Sequence, residues 1–257
     1  MRKTKSIKAL LIDLDGVVYQ NAQMIPGAES ALAWIAQRQL PYLFLTNTTS
    51  KPLKAIVDKL EGMGLNASCD KILTPVKAAV DYLRDSEGAV ALYVPHATRS
   101  DFDGLKLWSE QADRLQAIVV GDLAHRWDFE TLNQAFNLLM DHPQAELIAL
   151  GMTRYWRAET GLQLDAGPFV AALAYATGRE PLVLGKPSEA FFTRACKSLG
   201  FAPENVAMIG DDPVSDVAAA QGFGMTGIQV KTGKYTGKSN KADFLINSIA
   251  DLPSISL

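Results

Sequence analysis

Short, continuously apolar runs alternate with helix-spaced segments almost from one end of this chain to the other, and that alternation limits the folds open to it. The runs are "KALLID" (8–13), "YLFLTN" (42–47), "KIL" (71–73), "AVALYV" (89–94) and "AIVVG" (117–121). They continue with "ELIAL" (146–150), "PLVLG" (181–185), "NVAMIG" (205–210), "GIQV" (227–230) and "DFLI" (243–246). Segments 27–39, 51–63, 75–85, 129–141, 167–177, 188–199 and 213–221 carry the helical period. A strand covered on both faces has no polar side to show, so it reads as an unbroken apolar run. Such strands interleaved with helices give βαβ units and a parallel sheet packed on both sides. The expected class is α/β, a doubly wound parallel sheet.

Ser50, Lys51 and Pro52 are expected to open the second helix, with Ser50 as its N-cap. Asp212 before Pro213 reads as the N-cap of the helix "PVSDVAAAQ". Segment 87–181 carries its own strands and helices, three of the four tryptophans and all the histidines. It reads as a second, smaller α/β domain inserted into the first, which leaves 1–86 and 182–257 as the two parts of the core.

Of the 257 residues, 48% are hydrophobic and 21% charged, enough apolar material for a real core. A formal charge of −3 suggests no polyanion partner, so nucleic acid is not expected. The basic N-terminus meets only a short apolar run that is cut off by Asp13, unlike a secretion signal, and no run is long enough to span a membrane. Cys69 and Cys196 read as buried thiols of a reducing compartment, and the expected location is the cytoplasm.

In an open parallel sheet, ligands collect beyond the carboxyl ends of the strands, where strand order reverses. Four runs exit through chemically equipped residues, read here as ends of a single sheet: Asp13-Leu14-Asp15-Gly16, Thr46-Asn47-Thr48, Gly185-Lys186-Pro187-Ser188, and Asp211-Asp212 with Asp216 one helical turn on. Each alone has an ordinary reading, since Asp and Gly are common where strands turn. Together they put carboxylates, a hydroxyl and an ammonium on one rim. A carboxylate can attack phosphorus and split one hard displacement into two easier ones. At about 4 Å and an effective dielectric near 20, each like-charged pair costs roughly 4 kcal/mol, so several carboxylates facing a phosphate would exclude it. A divalent cation reverses the sign, and an all-oxygen donor set suits Mg²⁺.

"DLDGV", "LTN", "GKPS" and "GDDPVSD", in that order, resemble the four motifs of the haloacid dehalogenase superfamily of phosphatases. The resemblance implies Asp13 as nucleophile and Asp15 as general acid and then base. It implies Thr46 and Lys186 as phosphate ligands, and Mg²⁺ held by the carboxylates of Asp13 and Asp211 and the backbone carbonyl of Asp15. Asp216 then orients Lys186 or a metal-bound water, and Asn47 either hydrogen-bonds the substrate or the loop of Asp15, or only shapes its turn. Between Asp13 and Thr46 there is room for little more than one helix, whereas a domain fits between Thr46 and Lys186. That placement resembles subclass IIA, the NagD-like branch with a type C2 cap.

In that branch "TRYWRAETGLQLDAG" (153–167) falls where caps carry a specificity loop, which makes Arg154, Tyr155, Arg157 and Asp165 candidates for reading the rest of the substrate. Ordinary packing and surface ion pairs explain them as well. Gly16 to Gly27 resembles the mobile hairpin beside such sites, with Tyr19 and Asn21 as candidate contacts. The expected function is Mg²⁺-dependent hydrolysis of a small phosphorylated metabolite through a phosphoaspartate, possible also on pyrophosphate or nitrogen-linked phosphate. A phosphomutase or phosphotransferase shares the first half-reaction, and a signalling receiver uses similar groups on a shorter chain. Dimers are common in the family, and a homodimer is expected. "GFGMTG" (222–227) fits G-x-G-x-x-G, but its glycines end a helix rather than open one, so no dinucleotide site is expected.

Overall fold

The computed structural model describes residues 6–158, 161–237 and 242–255. In chain order the first strands are β1 (Ala9–Asp13), β2 (Tyr19–Gln20), β3 (Gln23–Met24), β4 (Tyr42–Leu45), β5 (Ile72–Leu73), β6 (Ala89–Tyr93) and β7 (Leu115–Val120). They are followed by β8 (Glu146–Ala149), β9 (Tyr155–Ala158), β10 (Gly161–Leu164), β11 (Leu182–Val183), β12 (Val206–Gly210), β13 (Thr226–Val230) and β14 (Phe244–Ile246). The α-helices are α1 (Ala28–Gln37), α2 (Leu53–Gly62), α3 (Pro75–Leu83), α4 (Phe129–Asp141), α5 (Ala166–Thr177), α6 (Glu189–Leu199) and α7 (Ala219–Gly222). None of the described helices is long and apolar enough to cross a membrane.

Contacts divide the chain into two compact units. One comprises Met1–Thr46, Ile56–Leu73 and Lys186–Leu257; the other comprises Asn47–Ala55 and Thr74–Gly185. The second unit thus takes in 47–55, 74–86 and 182–185 in addition to the 87–181 segment marked by sequence, so both expected boundaries of that segment shift outward.

The first unit is built on a six-stranded sheet of order β14-β13-β12-β1-β4-β5, with every pairing parallel. All five residues of β1 and of β12 are buried, which is why "ALLID" and "VAMIG" show no polar alternation. From β1 the chain moves outward through β4 and β5 on one side, then returns to build β12, β13 and β14 on the other. Strand order therefore reverses between β1 and β12, and their carboxyl ends, Asp13 and Gly210-Asp211, lie at the crevice where such sheets bind ligands.

The second unit has a four-stranded parallel sheet of order β11-β8-β7-β6. Its core stacks Trp127 between Tyr93 and Phe169, with ring centroids 5.8 and 4.9 Å apart, and the indole N–H donates to the Gly121 carbonyl. Ile118, Val120 and Leu139 complete the apolar filling. The strands β9 and β10 form a separate antiparallel hairpin.

Several local expectations are corrected. "PLVLG" does not join the core sheet: β11 pairs with β8 in the second unit. An apolar run reports burial, not which neighbour it will hydrogen-bond. The helix α2 begins at Leu53, and the Leu53 N–H donates to the Asp101 carboxylate at 2.8 Å, so Ser50 is not its cap. A partner distant in sequence does here what a local serine does elsewhere. Cys69 is exposed, because it falls in a 3-10 turn before β5 rather than in a strand, whereas Cys196 is buried in α6. Asp212 does cap its helix, accepting from the N–H groups of Val214 and Ser215, but Pro213–Ala218 is wound as a π-helix before α7 continues.

Candidate active site

At the carboxyl edge of the core sheet, Asp13 ends β1 with its side chain buried, and its Oδ1 accepts from Lys186 Nζ at 2.7 Å. The same ammonium lies 2.7 Å from Asp216 Oδ1. Lys186 and Asp216 are both buried, so the lysine is clamped between two carboxylates out of bulk water. Asp216 Oδ2 also accepts the Asp212 N–H at 3.2 Å, which fixes the first turn of its helix. Asp216 reaches this position only because residue 210 is glycine: a Cβ there would lie 2.2 Å from the Asp216 Cβ.

Asp211, one residue beyond β12, completes the group. One carboxylate oxygen from each of Asp13, Asp211 and Asp216 lies within 4.8 Å of the others. Two close backbone approaches grip Asp211. A Cβ on Gly16 would come within 2.2 Å of Asp211 Oδ2, and one on Gly233 within 2.0 Å. Gly233 also has φ +64°, a left-handed conformation that side chains resist. The following N–H, that of Lys234, donates to Asp211 Oδ2 at 2.8 Å, and the Thr232 hydroxyl donates to the Gly16 carbonyl at 2.5 Å. Asp211 Oδ1 is buried and has no hydrogen-bond partner among the described residues.

The electrostatics follow from burial. Desolvation pushes the Asp13 carboxyl above its ordinary range, against the opposing pull of Lys186. Burial likewise raises Asp211, and it brings Asp216 up to about 6. For Lys186, burial works to discharge the ammonium, but Asp13 and Asp216 together outweigh it and hold the proton more firmly than in water. Three clustered acids with one lysine leave an excess of negative charge. An orphaned buried carboxylate oxygen in an all-oxygen group is the donor chemistry that fits Mg²⁺.

The other expected residues are distributed as follows. Thr46 is buried one residue past the Asp13–Leu45 register pair. Asp15 is exposed just beyond β1 and bridges to Tyr19. Asn47 is exposed. Tyr19 pairs with Met24 in the β2–β3 hairpin, and the Lys59 ammonium sits 3.4 Å from the centre of its ring. Burial, and then Asp15 and Asp13, push the Tyr19 phenol up to about 12. Asn21 turns that hairpin at φ 56°.

Arg154, Tyr155 and Arg157 are exposed in the second unit, the last two on β9. Their segment is a hairpin rather than a loop; Tyr155 pairs with Leu164 and Arg157 with Leu162. Asp165 caps α5, accepting the Ala166 N–H at 2.7 Å. Sequence reasoning missed Gly16, Thr232, Gly233 and Lys234 as the walls around Asp211. The available signal was "KTGK" directly after a buried strand.

This fold and this carboxylate-lysine group define a class that the comparisons identify. The haloacid dehalogenase-like hydrolase model matches residues 10–106, and a second, HAD-hydrolase-like model matches residues 183–252. The chain belongs to the haloacid dehalogenase-like hydrolases. It is 37% identical to haloacid dehalogenase-like hydrolase domain-containing protein 2 of Bos taurus, over 95% of this chain and 93% of that one. It is 31% identical to human phospholysine phosphohistidine inorganic pyrophosphate phosphatase, over 97% and 94% of the two chains. Among solved structures, a p-nitrophenyl phosphatase from Archaeoglobus fulgidus superposes with a TM-score of 0.86 at 25% identity, covering 97% of this chain and 99% of that one.

Proposed function

We propose that this chain is a cytoplasmic, Mg²⁺-dependent phosphatase that hydrolyses a small phosphorylated metabolite through a phosphoaspartate on Asp13. The observation that carries the reading is the Asp13 carboxylate, buried at the switch point and held at 2.7 Å by a lysine that Asp216 holds from the other side. Phosphatase names among its relatives and structural neighbours support the reaction class.

In the first step a carboxylate oxygen of Asp13 attacks phosphorus, the bond from phosphorus to the leaving oxygen breaks, and Asp15 gives that oxygen a proton. Acid catalysis of this kind contributes about 10²–10⁴-fold. In the second step Asp15 takes a proton from water, the water oxygen attacks phosphorus, and Asp13 is released with inorganic phosphate. Lys186 and Thr46 hold the phosphate oxygens, and Asp216 keeps Lys186 aimed. The carboxylates of Asp13 and Asp211 and the Asp15 carbonyl would hold Mg²⁺, which offsets the repulsion between the acids and the phosphate when bound.

The test is steady-state hydrolysis of p-nitrophenyl phosphate, with and without Mg²⁺, by the wild type and Asp13→Asn. Hydrolysis that requires Mg²⁺ and vanishes in the variant is expected; wild-type turnover by Asp13→Asn would defeat the mechanism. Inorganic pyrophosphate and nitrogen-linked phosphates belong in the same panel, because the name of the human relative includes them.

A further inference from the structure

The register of the core sheet places one more polar side chain beside this group. Ile12 pairs with Ile209, which brings the next residues, Asp13 and Gly210, side by side, and Gly210 pairs with Gln229 of β13. In-register neighbours on parallel strands point to the same face, so Asp13, Gly210 and Gln229 form one row across β1, β12 and β13. Gly227, two residues before Gln229 and therefore on its face, lies under the helix that carries Asp216: a Cβ there would meet Val217 at 2.8 Å. The Asp216 carboxylate lies over Gly210, in the middle of the row, its Oδ2 only 2.4 Å from where a Cβ of residue 210 would be.

Gln229 is fully buried, and neither its amide oxygen nor its amide nitrogen has a hydrogen-bond partner among the described residues. A buried amide left unpaired is destabilising, and an apolar side chain would fill this strand position without that penalty. Neighbouring strands stand about 5 Å apart, which puts Asp216 Oδ2 within about 7 Å of the Gln229 Cβ. That span is the length of an extended glutamine plus one hydrogen bond.

We propose that Gln229 is a positioning residue whose amide N–H holds the Asp216 carboxylate in place, and through it the Lys186 ammonium, during the reaction. The inference rests on the phosphatase reading. The Asp13 carboxylate gives up its negative charge when it becomes an acyl phosphate, while Asp216, on the other side of Lys186, keeps its own. A donor from Gln229 keeps Asp216 from following the lysine toward the phosphate. Gln229 touches no reacting atom.

The test replaces Gln229 with methionine, which keeps length and volume but removes the amide, and with leucine as a second variant should methionine fail to fold. Hydrolysis of p-nitrophenyl phosphate under saturating Mg²⁺ is measured beside thermal melting. Positioning residues of this kind are worth about 10–100-fold, so kcat is expected to fall at least about 10-fold, with a smaller change in KM and a melting temperature equal to or above wild type. The losses in kcat of Gln229→Met, Asp216→Asn and the double variant are expected to be non-additive, since the two side chains share one interaction during the reaction. A folded variant with wild-type kcat overturns the inference, as do kcat losses that simply multiply in the double variant. If the wild type does not hydrolyse the probe at all, the phosphatase reading fails and this inference with it; an active wild type with unaffected variants removes only the role of Gln229.

Discussion

Substituting Gly233 by alanine perturbs Asp211, an acid of the site that backbone groups hold in place. The new Cβ would sit 2.0 Å from Asp211 Oδ2 and 2.8 Å from the Gly16 Cα, where contacts below 3.0 Å force something to move. Gly16 is backbone and already packed, so the carboxylate must retreat by about 1 Å; displacements of that size at a reacting centre can cost on the order of 100-fold. Alanine at φ +64° adds about 1–2 kcal/mol of backbone strain. Strain and displacement are separable, because Gly237 has φ +81° with nothing within 4 Å of its would-be Cβ among the described residues. Gly237→Ala therefore carries the strain without the clash. Titrating Mg²⁺ into the p-nitrophenyl phosphate assay should give Gly233→Ala a half-saturating concentration at least about 10-fold above wild type. Gly237→Ala should titrate like wild type while melting slightly lower. Equal Mg²⁺ requirements in Gly233→Ala and wild type would refute the argument, as would a defect of the same size in Gly237→Ala.

Two further expectations follow from individual side chains. Asp165 caps α5, so Asp165→Ala should lose about 1 kcal/mol of stability, read as a small drop in melting temperature, with kcat/KM preserved; a large rise in KM without any melting shift would return it to a substrate-reading role. Iodoacetamide at about pH 8 should label Cys69, which is exposed, and spare Cys196, which is buried and whose thiol burial, aided by Glu204, pushes up to about 11. Peptide mapping that finds Cys196 labelled first in the folded protein would contradict that ordering.

Most of the sheet could be read from the chain because its strands are buried on both faces, and continuous apolar runs such as "LLID" and "VAMI" leave little else to form. What the runs lack is partner information. The two-residue strand β11 looked like part of the core sheet and belongs to another, because burial pattern does not encode which edge a strand completes. The hairpin β2–β3 was expected only through the family resemblance, since two residues per strand carry no period of their own, and β9–β10 escaped assignment because it mixes Arg, Trp and Tyr on exposed strands. Asp13, Lys186, Asp211 and Asp216 were legible from their motifs at strand exits. The walls around Asp211 were not, since Gly16 and Gly233 matter through the absence of a side chain, visible only when two distant loops meet. Gln229 sat inside an expected strand, where a single glutamine among apolar residues carries no signal until the register shows what lies beside it.

The central claim is that phosphorus bonds to Asp13. Mixing enzyme, Mg²⁺ and substrate, quenching in acid within the first turnover and mapping peptides by mass spectrometry tests it directly. One phosphate is expected on the peptide that contains Asp13, labile to hydroxylamine and longer-lived in Asp15→Asn, which has lost the base for the second step. Steady turnover with no phosphorylated peptide at any quench time, or with phosphate on a different residue, would contradict the account.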